Sequence, residues 1–288
     1  MTDPAPSRQG GPRVPQHPHR YSGPLRAVVL DWAGTTVDFG CIAPAAAFVR
    51  AFTQAGVPIT MAEARAPMGL PKWEHIKAIM GTPTVAERWE AVHGCRPQER
   101  DAEAMYERFV PLQVQSVAEH SELVPGALEA VAAMRARGLS IATTTGYPRQ
   151  VMDVVLREAR RQGYEPDVTV CAGDTPSGRP GPFMALEALI RLSISPVESV
   201  VKIGDTVVDI EEGLSGGMWS VGVAATGNGV GLSAAEYFAL EAGERRQACD
   251  AAKGTLLEAG AHYVVDTIAD VPAVLDAIEE RLGRCEKP

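Results

Sequence analysis

The sequence predicts an α/β fold, a Rossmann-like parallel sheet core with an inserted helical cap domain, and three observations carry that prediction. From about residue 123 onward, short apolar runs of strand type alternate with stretches of helical period, as in a parallel sheet covered on both faces. One more strand of this kind, Ala27 to Leu30, stands alone near the start. Between it and the rest lies a stretch that reads as helical until about His120 and contains no strand pattern. The expected division is an arm over residues 1–24, a core over residues 25–43 and 122–288, and a helical cap over residues 44–121.

Composition narrows the function classes. A chain of 288 residues with 45% hydrophobic content can bury one large core or a core plus a smaller unit. A formal net charge of −9 offers no basic surface to nucleic acid or anionic membrane, so a phosphate would need a local site. Five cysteines, Cys41, Cys95, Cys171, Cys249 and Cys285, form an odd set without a CxxC pair, which argues for a reducing compartment. No run is long and apolar enough for a membrane span, and the expectation is a soluble, cytoplasmic protein. The Pro-rich arm reads as disordered, and His17 and His19 within it as solvated tail residues or an adventitious metal site.

Taken in order, the elements are these. Ala27 to Leu30 is a buried strand that ends at Asp31, and Gly34 breaks the run. Cys41 to Pro44 reads as a short connection. Thr60-Met-Ala-Glu63 and Thr84-Val-Ala-Glu87 both match the capping box that marks a helix start. Gly69 and Pro71 bend the chain ahead of a helix running through Met80, so Lys72 would project from a defined corner. Then follow a helix from Pro125 to Arg137, a strand from Leu139 to Thr145 and a helix from about Pro148 to Gln162. The strand Val168 to Cys171, the helix Phe183 to Leu192 and the strands Val200 to Ile203 and Trp219 to Ala225 come next. A helix around Glu244 to Ala259, a strand from His262 to Asp266 and a final helix complete the alternation. Trp32 and Met184 read as packing residues.

The chemistry gathers at strand ends. A carboxylate at the carboxyl end of a central strand faces the crevice where open α/β sheets bind ligands, which places Asp31 as a nucleophile; taken alone, it could equally cap a turn. Asp205 and Asp209 follow a second apolar strand, and beside Asp31 they would make an oxygen-rich pocket suited to Mg²⁺. Asp209 could also cap the next helix. Thr145, Gly146 and Tyr147 follow another strand, where a hydroxyl and a backbone N–H can hold phosphate oxygens. Arg179 offers a guanidinium to those oxygens or to the acidic cluster. Singly, the Thr could be a turn residue and the Arg a surface one.

This ordered set resembles the haloacid dehalogenase-like superfamily, and within it the phosphonatase family, from about Leu25 to the last helix. The matching stretch is Asp31-Trp-Ala-Gly-Thr-Thr-Val-Asp38, followed in the cap by Pro67-Met-Gly-Leu-Pro-Lys-Trp-Glu-His75. The resemblance implies Asp31 as nucleophile, Thr145 as phosphate-binding hydroxyl, Arg179 in place of the usual Lys, and Asp205 with Asp209 as the acidic loop. Ala33 stands where ordinary phosphatases of the superfamily keep an acid/base Asp. Lys72 matches the family's Schiff-base lysine, with Met68 beside it and His75 as a proton-transfer residue. Cys41 and Tyr147 match pocket positions, though a buried thiol and a packed ring would look the same. Pro71 departs from the apolar residue usual there and leaves the amine in register.

What the resemblance implies is hydrolysis of the C–P bond of phosphonoacetaldehyde, a small-molecule phosphonate, to acetaldehyde and phosphate. The group leaving phosphorus is a carbanion, so an electron sink is needed, and an imine on Lys72 supplies one. Mg²⁺ would be held by Asp31, the Ala33 carbonyl and Asp205. The family also implies a homodimer through the caps. Two other readings stand beside this one: a Mg²⁺-dependent phosphate-ester phosphatase, which Ala33 and Lys72 oppose, and a non-catalytic phosphate-binding regulatory protein, which the intact carboxylates oppose. His75, three residues after Lys72, shares its helix face but could be simply a solvated helix residue.

Overall fold

The structure, a computed structural model, describes residues 21–288; the arm assigned to residues 1–24, with His17 and His19, lies outside them except for its last four residues. A six-stranded sheet runs in the order β3-β2-β1-β4-β5-β6, every pairing parallel. Its strands are β1 (Ala27–Leu30), β2 (Ser140–Pro148), β3 (Val168–Ala172), β4 (Val200–Gly204), β5 (Trp219–Val223) and β6 (Tyr263–Val265). Each strand lies within a few residues of its expected place.

Alternate residues of β1 serve opposite faces, as pleating requires. Val28 and Leu30 join the larger core with α6 (Ala127–Ala136), α7 (Arg149–Arg161) and α12 (Val271–Gly283). Ala27 and Val29 meet Met184, Ala185 and Leu189 of α8 (Phe183–Leu192) on the other face. The strand is therefore apolar throughout, and its chemistry is confined to its end. Trp32 is buried in the larger core against Tyr164, and Met184 in the opposite one, both as packing residues.

Between β1 and β2 the chain forms α1 (Ile42–Gln54), α2 (Met61–Arg65), α3 (Lys72–Gly81), α4 (Pro83–His93) and α5 (Glu99–Glu119) ahead of α6. These helices close over a hydrophobic cluster of their own, with Phe48, Phe52, Ile76, Ile79, Trp89, Met105 and Phe109 buried. No described helix is long and apolar enough to cross a membrane.

Four local expectations change. The stretch Cys41 to Pro44 is mostly helix, because both Asp38 carboxylate oxygens accept from the N–H groups of Ile42 and Ala43 at 3.0 Å and start α1 there. Pro44 sits in the first turn, where its missing N–H costs nothing. The second capping box is displaced: Thr82 is the N-cap and Pro83 the first residue of α4, and the Thr84 hydroxyl donates to Glu63 at 3.1 Å instead. A real capping box at Ser233 and Glu236 opens α10 (Ala234–Ala239), which lacks any apolar period to announce it. Finally, β2 continues past Thr145 to Pro148 through a register shift against β3, and that irregularity re-aims Gly146 and Tyr147.

Candidate active site

Strand order decides what meets. The sheet reverses direction of growth between β1 and β4, and ligands of open α/β sheets bind at such a point. Leu30 is in register with Thr143 on one side and Ile203 on the other, so Asp31, Thr145 and Asp205 emerge together at one edge. One carboxylate oxygen from each of Asp31, Asp205 and Asp209 lies within 4.8 Å of the others.

A small cavity, with room of about 20 Å³ for a water-sized sphere, lies over this edge. Asp31, Ala33, Cys41, Met68, Lys72, Thr145, Gly146, Tyr147, Arg179 and Asp205 all border it, together with Pro44, Gly69 and Thr206. The structure thus brings together the sequence-selected residues from β1, β2, the Arg179 loop, the acidic loop and the helical insert. His75 and Asp209 do not border it. The His75 ring is fully buried, stacked on Phe48 at 3.9 Å, with Nε2 donating to the Ala64 carbonyl at 2.9 Å. That bond fixes the tautomer and leaves Nδ1 as a lone pair with no partner among the described residues. A solvated helix histidine is excluded.

Asp209 does two jobs. It closes a capping box with Thr206 at the start of α9 (Val207–Ser215), and its other oxygen receives Arg179 and Lys202 Nζ, the latter at 3.0 Å. Arg179 also donates to Asp31 Oδ1 at 2.9 Å and so bridges the two carboxylates. Lys202 was not singled out from sequence. It is completely buried in β4 and pairs with Glu212 at 2.9 Å, while donating to Thr144 at 2.8 Å. A cation inside an otherwise apolar strand, Val200-Val-Lys-Ile203, was the available signal, since a buried ammonium demands carboxylates around it.

The charge count carries the metal argument. Four buried carboxylates, Asp31, Asp205, Asp209 and Glu212, face two buried paired cations, Arg179 and Lys202, and one buried amine, Lys72, whose pKa is lowered to about 8. Among the described residues Asp205 has no cationic partner. It accepts only from the Asn228 N–H at 2.7 Å and, at 3.4 Å each, from Thr35 and the Cys41 thiol. An uncompensated buried charge costs roughly 3–5 kcal/mol, so the surplus must be met by a cation or by protonation. Burial, followed by repulsion from Asp31 and Asp209, pushes Asp205 well above the usual carboxylate range. Burial and then Asp209 raise Asp31 to about 6. Burial works against the Asp209 carboxylate too, but Arg179 and Lys202 hold it below its ordinary value. A hard divalent cation between Asp31, Asp205 and the Ala33 carbonyl fits this donor set.

The insert brings the opposite character. Lys72 is the first residue of α3, behind Pro71, and its Nζ lies 5.1 Å from the Tyr147 ring centroid and 5.5 Å from that of Phe48. Burial first, then the Arg179 charge, lowers its pKa to about 8. A helix N-terminus disfavours a cation as well. Burial, then Lys72, keeps His75 well below its ordinary value and neutral. The Thr145 hydroxyl oxygen accepts from the Tyr147 N–H at 3.1 Å, which leaves its O–H free to donate into the cavity. Cys41 donates to the Ala33 carbonyl at 3.0 Å and, pushed well up by burial and then Asp205, stays a thiol.

Two glycines allow close approach, Gly34 within the core and Gly69 between the insert and the core. A Cβ on Gly34, at φ +84°, would lie 2.5 Å from the Asp205 carboxylate; one on Gly69, at φ +97°, would lie 2.7 Å from the Thr206 hydroxyl.

Residues 25–217 match the family model described as haloacid dehalogenase-like hydrolase. A phosphonoacetaldehyde hydrolase of Syntrophobacter fumaroxidans is 49% identical over 93% of this chain and 97% of its own. One from Vibrio cholerae is 46% identical over 93% of this chain and 99% of its own. A crystal structure of a phosphonoacetaldehyde hydrolase-like protein from Oleispira antarctica superposes with a TM-score of 0.92 at 42% identity, covering 93% of this chain and 97% of the other.

Proposed function

The chain belongs to the haloacid dehalogenase-like hydrolases, and within them to the phosphonoacetaldehyde hydrolase family, and from that premise we propose that it hydrolyses the C–P bond of phosphonoacetaldehyde. The observation that carries the reading is the pairing, across one small cavity, of a buried lysine amine with a strand-end carboxylate.

Lys72 attacks the aldehyde carbon and water leaves, giving a protonated imine β to phosphorus. Asp31 attacks phosphorus in line; the C–P pair flows into the imine, which becomes an enamine, and an aspartyl phosphate forms. Water cleaves the acyl phosphate. Protonation of the enamine and hydrolysis of the resulting imine release acetaldehyde and restore the amine. A pKa near 8 keeps a useful share of Lys72 unprotonated at neutral pH. His75, one turn along α3, is kept neutral by burial and by Lys72 and so places no second positive charge beside the amine, and the proton that Lys72 loses passes to water. Thr145, the Gly146 and Tyr147 backbone and Arg179 hold the phosphonate oxygens, Met68 and Cys41 wall the pocket, and Asp209 keeps Arg179 in place. Asp31, the Ala33 carbonyl and Asp205 would hold Mg²⁺, which when bound would neutralise charge on the transferring group.

Residues 44–121 act as a cap that opens to admit substrate. Five unpaired cysteines fit a cytoplasmic setting, and a homodimer through the cap follows the family.

The test is incubation with phosphonoacetaldehyde and Mg²⁺, with both products assayed, beside a panel of phosphate monoesters. Equal release of phosphate and acetaldehyde is expected, with none after metal removal by EDTA and recovery on adding Mg²⁺. Preference for a monoester would select the phosphatase reading, and full turnover in metal-free protein would remove the metal.

A further inference from the structure

Arg65 ends α2 in the helical insert, yet its partners belong to the core. Its Nη1 donates to the Gly40 carbonyl at 2.7 Å and to Asn228 Oδ1 at 3.2 Å. Asn228 Nδ2 returns a bond to the Arg65 carbonyl at 3.4 Å. The two acceptors are tied to one another, because the Gly40 N–H donates to Thr226, two residues before Asn228, at 2.7 Å. Both Arg65 and Asn228 also line a cleft of about 400 Å³ that runs up to Asp205 and Thr206.

The contact does not stop at the clamp. The backbone N–H of Asn228 is the 2.7 Å donor to Asp205 Oδ2, the shortest bond that carboxylate makes. The loop residue gripped by the insert is therefore the residue that aims the unpaired carboxylate. A carboxylate bonded to a fixed donor presents its lone pairs in fixed directions, and such outer partners strongly affect how well a cation is held. Both side-chain bonds leave the same nitrogen, Nη1, and the rigid plane of the guanidinium holds that donor in place better than a flexible ammonium would.

We propose that Arg65 is a positioning residue that couples closure of the insert to the metal site: by seizing Asn228 and Gly40 it docks Lys72 over the cavity and sets the Asp205 carboxylate in one event. The inference rests on the roles assigned above to Asp205 and Lys72. With the insert away from the core, Asn228 loses its side-chain anchor and Asp205 its aligned donor, and the cation is held weakly.

The test uses the full chain, with Mg²⁺ affinity measured by titration calorimetry and Lys72 accessibility by competitive acetylation and peptide mass mapping. Arg65→Met is expected to weaken Mg²⁺ binding about tenfold or more and to speed acetylation of Lys72, because outer-sphere partners contribute on that scale. Arg65→Ala should regain part of both on addition of ethylguanidinium. Asn228→Ala, which keeps the N–H and loses the grip, should reproduce the shift, and it carries the test if the Arg65 variants do not fold. A merely structural contact would lower the melting temperature and leave both readouts unchanged. Folded Arg65→Met, or Asn228→Ala, indistinguishable from wild type in Mg²⁺ affinity and Lys72 labelling overturns the proposal. Neither readout needs substrate, so a wild-type protein that fails to cleave phosphonoacetaldehyde defeats the functional reading alone.

Discussion

Asp31→Asn should abolish phosphate release, by roughly four to six orders of magnitude, the loss typical when an enzyme's nucleophile is removed. The substitution keeps the volume of the side chain at the head of the sheet and an oxygen for Arg179, so packing around it has no reason to change. What it removes is the electron-rich oxygen that bonds to phosphorus and one negative charge of the surplus that calls for a cation. Imine formation depends on Lys72 and not on Asp31. Borohydride should therefore still trap the aldehyde on the variant while free phosphate stays at background. Substantial phosphate release by purified Asp31→Asn would strip Asp31 of its role.

Lys72→Arg should be as inactive in acetaldehyde release as in phosphate release, although it retains a positive charge. A guanidinium stays protonated and forms no imine, so this variant separates amine chemistry from electrostatics. In the wild type, reduction with borohydride in the presence of substrate should fix the carbon skeleton to Lys72 and extinguish activity with it. The pH dependence has a definite sign. Burial and Arg179 place the amine near 8, so trapping at fixed aldehyde should rise with pH up to about that value and then level off. An unperturbed lysine would keep rising toward 10 and beyond. Label on another lysine, or an active Lys72→Arg protein, would defeat the assignment.

The sheet was legible because apolar runs of strand type end at polar residues, and parallel register then gathers those ends without further instruction. Asp31 and Asp205 could be placed at strand ends on that ground, while their roles rested on the ordered set and the motif around Asp31. Lys72 could not: a lysine at a helix start has no period to betray it, and only the motif around it singled it out. His75 shares the face of Lys72 by spacing, but Phe48 and the Ala64 carbonyl claim its ring, and sequence carries no sign of either contact. Lys202 sits inside a strand's apolar pattern, which hides its need for a partner, and Glu212 lies in a stretch with no motif to single it out. Arg65 escaped notice for a different reason, since its partner Asn228 lies 163 residues away and only folding brings them together. At Thr84 the local rule misfired because Pro83 fixes the first helical position one residue earlier and hands the cap to Thr82.

The cavity as it stands has little room beyond a water-sized sphere, so around any bound phosphonate the insert must stand further from the core than it does here, and this bears on how the protein would choose among phosphonates by length. A longer aldehyde could enter while the insert stands away from the core and could still anchor its phosphonate at Thr145 and Arg179. It would then act as a doorstop, holding Lys72 out of reach of the geometry in which carbon and phosphorus are handled together. Discrimination against chain length would appear in kcat, with KM little altered, the reverse of a pocket that sorts by fit on entry. A series of phosphonoaldehydes lengthened one carbon at a time would read that out directly. Selectivity in such a protein resides in whether the door shuts.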